Sequence, residues 1–256
     1  MASHREYVPM KHRKGFVTSE IVVSLIKYFN GKAENARFAH HRRGWKNKSL
    51  LVFTLWRTGR RVSELVGVKG NFHRCSGLRR VDIDLKSGCL DFSILKKFPV
   101  KRVSKGGTVR TADSVLRDRL KKERFLESIP YPNDLLEVLS DWCSSYDLEL
   151  YERVFPYTRQ CVDKVLKSAC VELNIHLRGR KFIKNAVSGL QEPVKYQVGA
   201  HSFRHGFSIN FLERNGDDPA ALPVLQEIMC HSNINVTKAY LKFSLNKHRE
   251  LLLNAR

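Results

Sequence analysis

The sequence predicts an α+β chain, mostly α-helical, with one small antiparallel sheet. Three observations predict it. Apolar residues recur at helical spacing near the start and through the final third. Apolar and polar residues alternate, as in strands, through "VDIDL" and "CLDFSIL" in the second quarter. Turn residues such as "KSG" and "DDPAALP" separate these runs.

Taken in order, residues 1–16 are basic, polar and aperiodic, which predicts a flexible arm. Thr18 is then placed as an N-cap, with Glu20 in the first turn. Ile21, Val22, Leu25, Ile26 and Phe29 form one helical stripe. Residues 30–48 are polar and strongly basic, and "SLLVFTLW" at 49–56 is apolar on all sides, as a helix in the domain centre would be. Gly59 can end that helix in a left-handed cap. After a loop over 70–79, "VDIDL", "CLDFSIL" and "RVSKGGTVRT" suggest two or three antiparallel strands joined at "KSG" and "KKFPVK". Residues 112–126 have a basic helical pattern. Residues 127–152 hold seven acids and no Lys or Arg, with a helical apolar face of Leu135, Leu136, Val138, Leu139 and Trp142. A helix is expected over 159–173 and a long loop or hairpin over 176–198. The final third is helical, with breaks at Asn215–Gly216, "DDPAALP" and "HSNIN".

Charge narrows the function. Forty-six Lys and Arg against 25 Asp and Glu give a formal charge of +21, on a chain whose 42% apolar content is that of a folded protein. A polyanionic partner, most simply nucleic acid, is implied. Residues 1–48 carry 11 basic residues against three acids, and 96–124 again 11 against three. These segments and the 176–184 loop are expected to form most of a DNA face, with the acidic 127–152 turned away. The six cysteines show no zinc spacing, which predicts reduced thiols and no metal. No apolar run is long enough to span a membrane and none resembles a signal core, so a cytoplasmic, DNA-associated protein is expected.

The chemistry gathers in three places. "GAHSFRHG" puts His201 and Arg204 at i and i+3 on one helix, near a start whose N–H groups favour an anion. Phe203, Phe207 and Phe211 point to the core instead. "CHSNINVTKAY" sets His231 nine residues before Tyr240. "RTGRRVSEL" puts Arg61 just after a buried helix and a glycine cap, a rigid place from which to aim inward.

Together these boxes resemble those of the tyrosine recombinase (phage integrase) family. "TGRRVSELVGV" is similar to that family's first arginine box, with Arg61 in the catalytic slot. "HSFRH" is similar to its H-x-x-R box, and "IMCHSNINVTKAY" to its histidine-then-tyrosine box, with a Thr three residues before the Tyr. The match runs from about residue 17 to about 250, and implies that 17–256 form a catalytic domain of that family's mostly helical fold. It implies a site-specific recombinase or integrase that cleaves and rejoins DNA through a 3′-phosphotyrosyl ester, needing neither ATP nor any metal or other cofactor. Arg61 and Arg204 would clamp the phosphate bidentately, as lysines could not. His231 would donate a further hydrogen bond, Tyr240 would be the nucleophile and His201 its base. A lysine in "ILKKFPVK", Lys97 with Lys96 close behind, would protonate the leaving 5′ oxygen. His205 is expected to support the fold or to bond locally. The implied partners are double-stranded DNA and further copies of the chain on it, up to a tetramer, with no membrane.

The chain departs from the family in places. Only about 16 residues precede the first helix, where the family usually carries a core-binding domain of roughly a hundred residues. Weak discrimination among DNA sites is therefore expected. Cys230 stands where the family often has glycine, and "DDPAALP" adds about three residues. Two other functions fit the same boxes. A type IB topoisomerase-like enzyme would usually have lysine at the position of His201. A non-catalytic DNA-binding regulator would not need the intact set of catalytic residues.

Overall fold

The computed structural model describes residues 16–68, 75–93, 126–184, 191–231 and 233–241. The expected arm up to residue 15, the expected strand at 102–111, residues 112–125 of the expected basic helix and both Lys96 and Lys97 lie outside the described residues. The chain divides into two compact units, one made of residues 1–59 and 163–256 and the other of residues 60–162.

In the first unit, helix α1 (Ser19–Glu34) follows Thr18, whose extended backbone makes it the N-cap residue although its hydroxyl caps no backbone N–H. Val22, Leu25 and Phe29 are buried along one stripe, flanked by half-buried Ile21 and Ile26. That stripe packs on α2 (Ala39–Thr58), where Phe29 and Trp45 stack with ring centroids 6.0 Å apart. The last three turns of α2 are buried nearly all round, as their apolar composition predicts. Thr54 and Thr58 are taken into that burial because each hydroxyl donates back to the carbonyl four residues earlier, at 2.8 and 2.7 Å. Gly59 then closes α2 in the left-handed region at φ 59°.

The second unit begins at Arg60. Helix α3 (Val62–Val66) leads to a short 3-10 turn (Arg80–Asp82) and a three-stranded antiparallel sheet. Strand β1 (Ile83–Asp84) pairs with β2 (Cys89–Ser93), with Ile83 opposite Leu90. The turn between them is built by Asp84, whose carboxylate accepts from the Lys86 and Ser87 N–H groups at 2.9 and 3.3 Å. The third strand, β3 (Leu126–Pro130), lies at the start of the acidic segment, where a helix alone was expected. Leu90 and Ile129 are paired and buried, so the sheet presents one apolar face, to which Phe92 also belongs. The expected helix follows as α4 (Asn133–Ser145), burying Leu135, Leu136 and Leu139.

Helix α5 (Arg159–Glu172) belongs to the first unit from Asp163 onward. The expected hairpin is present as β4 (Leu177–Lys184) and β5 (Gln191–Tyr196), antiparallel with an irregular register between Arg178 and Phe182. Helix α6 (Ala200–Asn215) packs on α2 and on α7 (Ala221–Ile228), and the described chain ends with α8 at 234–241. Among the described residues no helix is long and apolar enough to cross a membrane. None of the six cysteines, all of them among the described residues, is in a disulfide. Burial pushes the Cys75, Cys143 and Cys170 thiols up to about 11, which keeps them protonated near neutral pH.

Two backbone details fix the positions of α6 and of the residues beyond α7. Gly206 sits where α6 meets the entering chain. A Cβ there would collide with the Val17 carbonyl and lie 2.8 Å from the Trp56 ring. The end of α7 is a Schellman turn: Cys230 N–H donates to Glu227 O at 2.8 Å and His231 N–H to Gln226 O at 3.0 Å. Cys230 occupies the left-handed position of that turn at φ 47°, a conformation that glycine adopts without strain.

Gly206→Ala is expected to lower stability by about 1–3 kcal/mol through overpacking, read as a reduced denaturant midpoint. Cys230→Gly should do the opposite. It relieves left-handed strain of about 1–2 kcal/mol, partly offset by the greater freedom of the unfolded chain, so a net gain of about 0.5–1 kcal/mol is expected in the same titration.

Candidate active site

The site grows from one buried cation. Arg204, on the second turn of α6, is only 2% exposed, although its helix position had suggested a side chain turned out toward a phosphate. Its guanidinium joins two helix ends. Nη1 donates to the Gly59 carbonyl at the end of α2, at 2.9 Å, and Nη2 donates to the Met229 carbonyl at the end of α7. Helix C-termini carry partial negative charge, so two of them facing one guanidinium favour its charged form. Carbonyls hold that charge in place without cancelling it.

His231 follows from the Schellman turn. With its backbone N–H on Gln226 O, and Gln226 Nε2 donating back to His231 O at 3.0 Å, the residue is held on both sides of its Cα. Its Nε2 lies 3.1 Å from Arg204 Nη2 and its Nδ1 lies 2.9 Å from Thr237 Oγ1. A guanidinium only donates, so Nε2 is the acceptor and, in the neutral ring, Nδ1 carries the proton toward Thr237. His231 was expected to donate a hydrogen bond to substrate. In this arrangement its Nε2 accepts one from Arg204. Arg204 thus sets the tautomer of the histidine, and the Thr noted in the tyrosine box accepts the proton that this places on Nδ1.

Tyr240 is 3% exposed and belongs to a core cluster with Ile209, Leu212, Leu225 and Met229. Its ring lies parallel to that of His231, with centroids 6.4 Å apart. Its Oη is 2.9 Å from His205 Nδ1. The histidine that meets the phenol at this distance is therefore the one expected only to support the fold or to bond locally. His201, one turn earlier, is exposed, with its ring edge-on to His205 at 4.6 Å between centroids. The signal for His205 was its i+4 spacing from His201, which the sequence displays without naming a partner.

Phe203 is fully buried, and Phe207 and Phe211 pack partly buried on the core cluster, as their spacing predicts. At the start of α6, Asp163 Oδ1 accepts the Ala200 N–H at 3.3 Å, a carboxylate at the positive end of the helix. Among the described residues no group of three or more His, Cys, Asp or Glu side chains gathers as a metal site.

Arg61 lies in the other unit, as the N-cap of α3. Glu64 accepts its backbone N–H at 3.0 Å and its Nη1 at 2.8 Å, leaving the side chain 17% exposed. Its neighbour Arg60 is fully buried: the guanidinium lies 4.6 Å from the Phe92 ring centroid, Nε donates to Tyr131 Oη at 3.3 Å, and Nη1 is 3.9 Å from Glu64 Oε2. One carboxylate, 1% exposed, thus serves two adjacent arginines with different fates. Sequence reasoning singled out Arg61 and had no reading for Arg60.

No protein-family model matches the chain. A tyrosine recombinase of Agathobacter rectalis is 31% identical over 61 residues, which are 24% of this chain and 19% of that one. Among solved structures, the XerH site-specific recombinase bound to a palindromic difH substrate, in a post-cleavage complex, matches with a TM-score of 0.53 and 16% identity, covering 94% of this chain and 53% of that one. The Tn1549 transposon integrase in complex with transposon right end DNA matches with a TM-score of 0.51 and 16% identity, covering 97% and 67%. The chain thus spans about half the length of the XerH chain it matches. With its boxes in the family's order and its backbone following both a recombinase and an integrase, the chain has the tyrosine recombinase fold.

Proposed function

We propose that the protein is a site-specific DNA recombinase or integrase that breaks and rejoins DNA through a 3′-phosphotyrosyl intermediate. The observation that carries the reading is the linked set in one unit: Arg204 bonded to His231, and the His231 ring parallel to that of Tyr240. The matched recombinase and integrase are themselves bound to DNA, which supports duplex DNA as the substrate here.

In this reading the Tyr240 oxygen attacks a backbone phosphorus. The new O–P bond forms as the bond to the 5′ oxygen breaks, and that oxygen leaves with its electron pair and takes a proton. Arg204 faces the charge that develops on the non-bridging oxygens. Its two carbonyl contacts hold it oriented beforehand, so little reorganisation accompanies the reaction. The motif order adds Arg61 as a second phosphate ligand and Lys97, or Lys96, as the donor to the 5′ oxygen. The ester conserves the bond, and reversal of the same steps rejoins the strands. Self-association on DNA, up to a tetramer, completes the proposal.

The test is incubation with a pool of nicked duplexes of random core sequence, in which the cleaved end diffuses away and the protein–DNA ester accumulates. Tyr240→Phe should abolish the detergent-resistant adduct while leaving duplex affinity nearly unchanged, because phosphate contacts come from other residues. A persisting adduct would move the nucleophile to another tyrosine. Arg204→Lys should reduce single-turnover cleavage by about 10²-fold or more, since a point charge cannot span two helix ends and a phosphate. Affinity titrated against salt should fall with a log–log slope of roughly −0.9 per phosphate contacted; a flat slope would contradict the basic DNA face.

A further inference from the structure

His205 is the group at the phenol. Its Nδ1 is 2.9 Å from Tyr240 Oη, its ring is half-buried, and edge-on beyond it lies the exposed ring of His201. A buried hydroxyl, a half-buried imidazole and an exposed imidazole therefore succeed one another outward. His231 is also near the phenol, but one of its nitrogens faces Arg204 and the other Thr237. We propose that His205 is the proton acceptor for the Tyr240 hydroxyl, and that His201 is the outer group through which the proton reaches solvent. This rests on the reading of Tyr240 as the nucleophile.

Atoms and electrons balance in this step. His205 starts neutral, with its proton on Nε2 and the Nδ1 lone pair accepting the phenol O–H. As the oxygen forms its bond to phosphorus, the O–H proton passes to Nδ1 and the electron pair of the broken O–H bond stays on oxygen. The 5′ oxygen leaves with the pair of the broken P–O bond. His205 is then an imidazolium and releases the Nε2 proton toward His201. On rejoining, the sequence runs backward and the departing phenolate recovers its proton from Nδ1. A phenol near pKa 10 is not ionised outright by an imidazole near 6.5, so the transfer accompanies O–P bond formation rather than preceding it. Local geometry favours this role. The i, i+4 spacing on α6 sets the two imidazoles edge-on on one helix face, and that face meets Tyr240 on α8.

The experiment compares His205→Ala, His205→Asn and His201→Ala with the wild-type chain, using single-turnover adduct formation on the nicked random-core pool. Asparagine can present an acceptor oxygen near the place of Nδ1 but cannot take up the proton. Both His205 variants should lose about 10²–10⁴-fold, the usual worth of a positioned general base, with DNA affinity retained. His201→Ala should lose less than either. In the intact protein, the imidazole nitrogen-15 signal of His205 should be that of an unprotonated Nδ1, and it should shift in Tyr240→Phe. Wild-type rates from His205→Asn would reduce the residue to a positioning role and overturn the proposal. So would a large loss in His201→Ala alone, or a His205 signal indifferent to Tyr240→Phe. If the wild-type chain itself forms no adduct, the nucleophile reading falls and this proposal falls with it. That outcome differs from failure of the proposal alone, in which the adduct forms and His205→Asn retains it.

Discussion

Arg204 is the group around which the first unit is assembled. A buried guanidinium costs several kcal/mol in lost hydration unless its donors are met. Here they meet the carbonyl ends of two helices, α2 and α7, and the ring of His231. Each hydrogen bond to a charged group is worth about 1.5–3 kcal/mol, and each carbonyl would otherwise be a helix-end acceptor in need of a partner. The same contact therefore answers two demands. It compensates the cation and it ties three helices, α2, α6 and α7, to one point. Gly59 makes this possible, since its left-handed backbone turns the carbonyl toward Arg204 while a side chain there would strike Phe207.

Glu64 is the corresponding point of the second unit. Its carboxylate closes the first turn of α3 by accepting the Arg61 N–H and Nη1, and it also lies 3.9 Å from the buried Arg60. Arg60 adds the Phe92 ring and the Tyr131 hydroxyl from the sheet side. Removing the shared carboxylate would leave one arginine buried without that counter-charge, a defect worth about 3–5 kcal/mol in comparable pairs. The two adjacent arginines are thus chemically distinct: one is part of the core and the other caps a helix at its margin. Both units use the same device, an arginine held where a helix begins or ends, because unsatisfied backbone groups concentrate there.

Burial of Tyr240 follows from the same packing. Its ring contributes to the apolar cluster of α6, α7 and α8, and its hydroxyl, which could not be buried alone without penalty, is met by His205. An aromatic residue with one polar tip is suited to this position, filling the core while keeping its hydroxyl at a polar seam. Thr237, one turn earlier on α8, fixes the neighbouring histidine ring, so one helix carries both the phenol and the group that orients His231.

The sequence by itself determined the helices of the first and last thirds, because apolar spacing records which side of each helix is covered: Val22, Leu25 and Phe29 on α1, Phe203 on α6, and the nearly all-round burial late in α2. It also determined the β1–β2 turn, the left-handed end at Gly59 and the order of the three boxes. Tertiary structure alone decided that β2 pairs with residues 126–130, whose acidic run carried a helical signal and no strand pattern. It decided that Arg204 is buried, because a carbonyl 145 residues away and another 25 residues away leave no trace in local spacing. It decided, too, that His205 rather than the motif histidine His201 meets Tyr240 at hydrogen-bonding distance. Periodicity specifies the face on which a side chain lies. Which of two histidines on that face touches a residue 35 positions later depends on how α8 packs against α6, and that is a property of the assembled core.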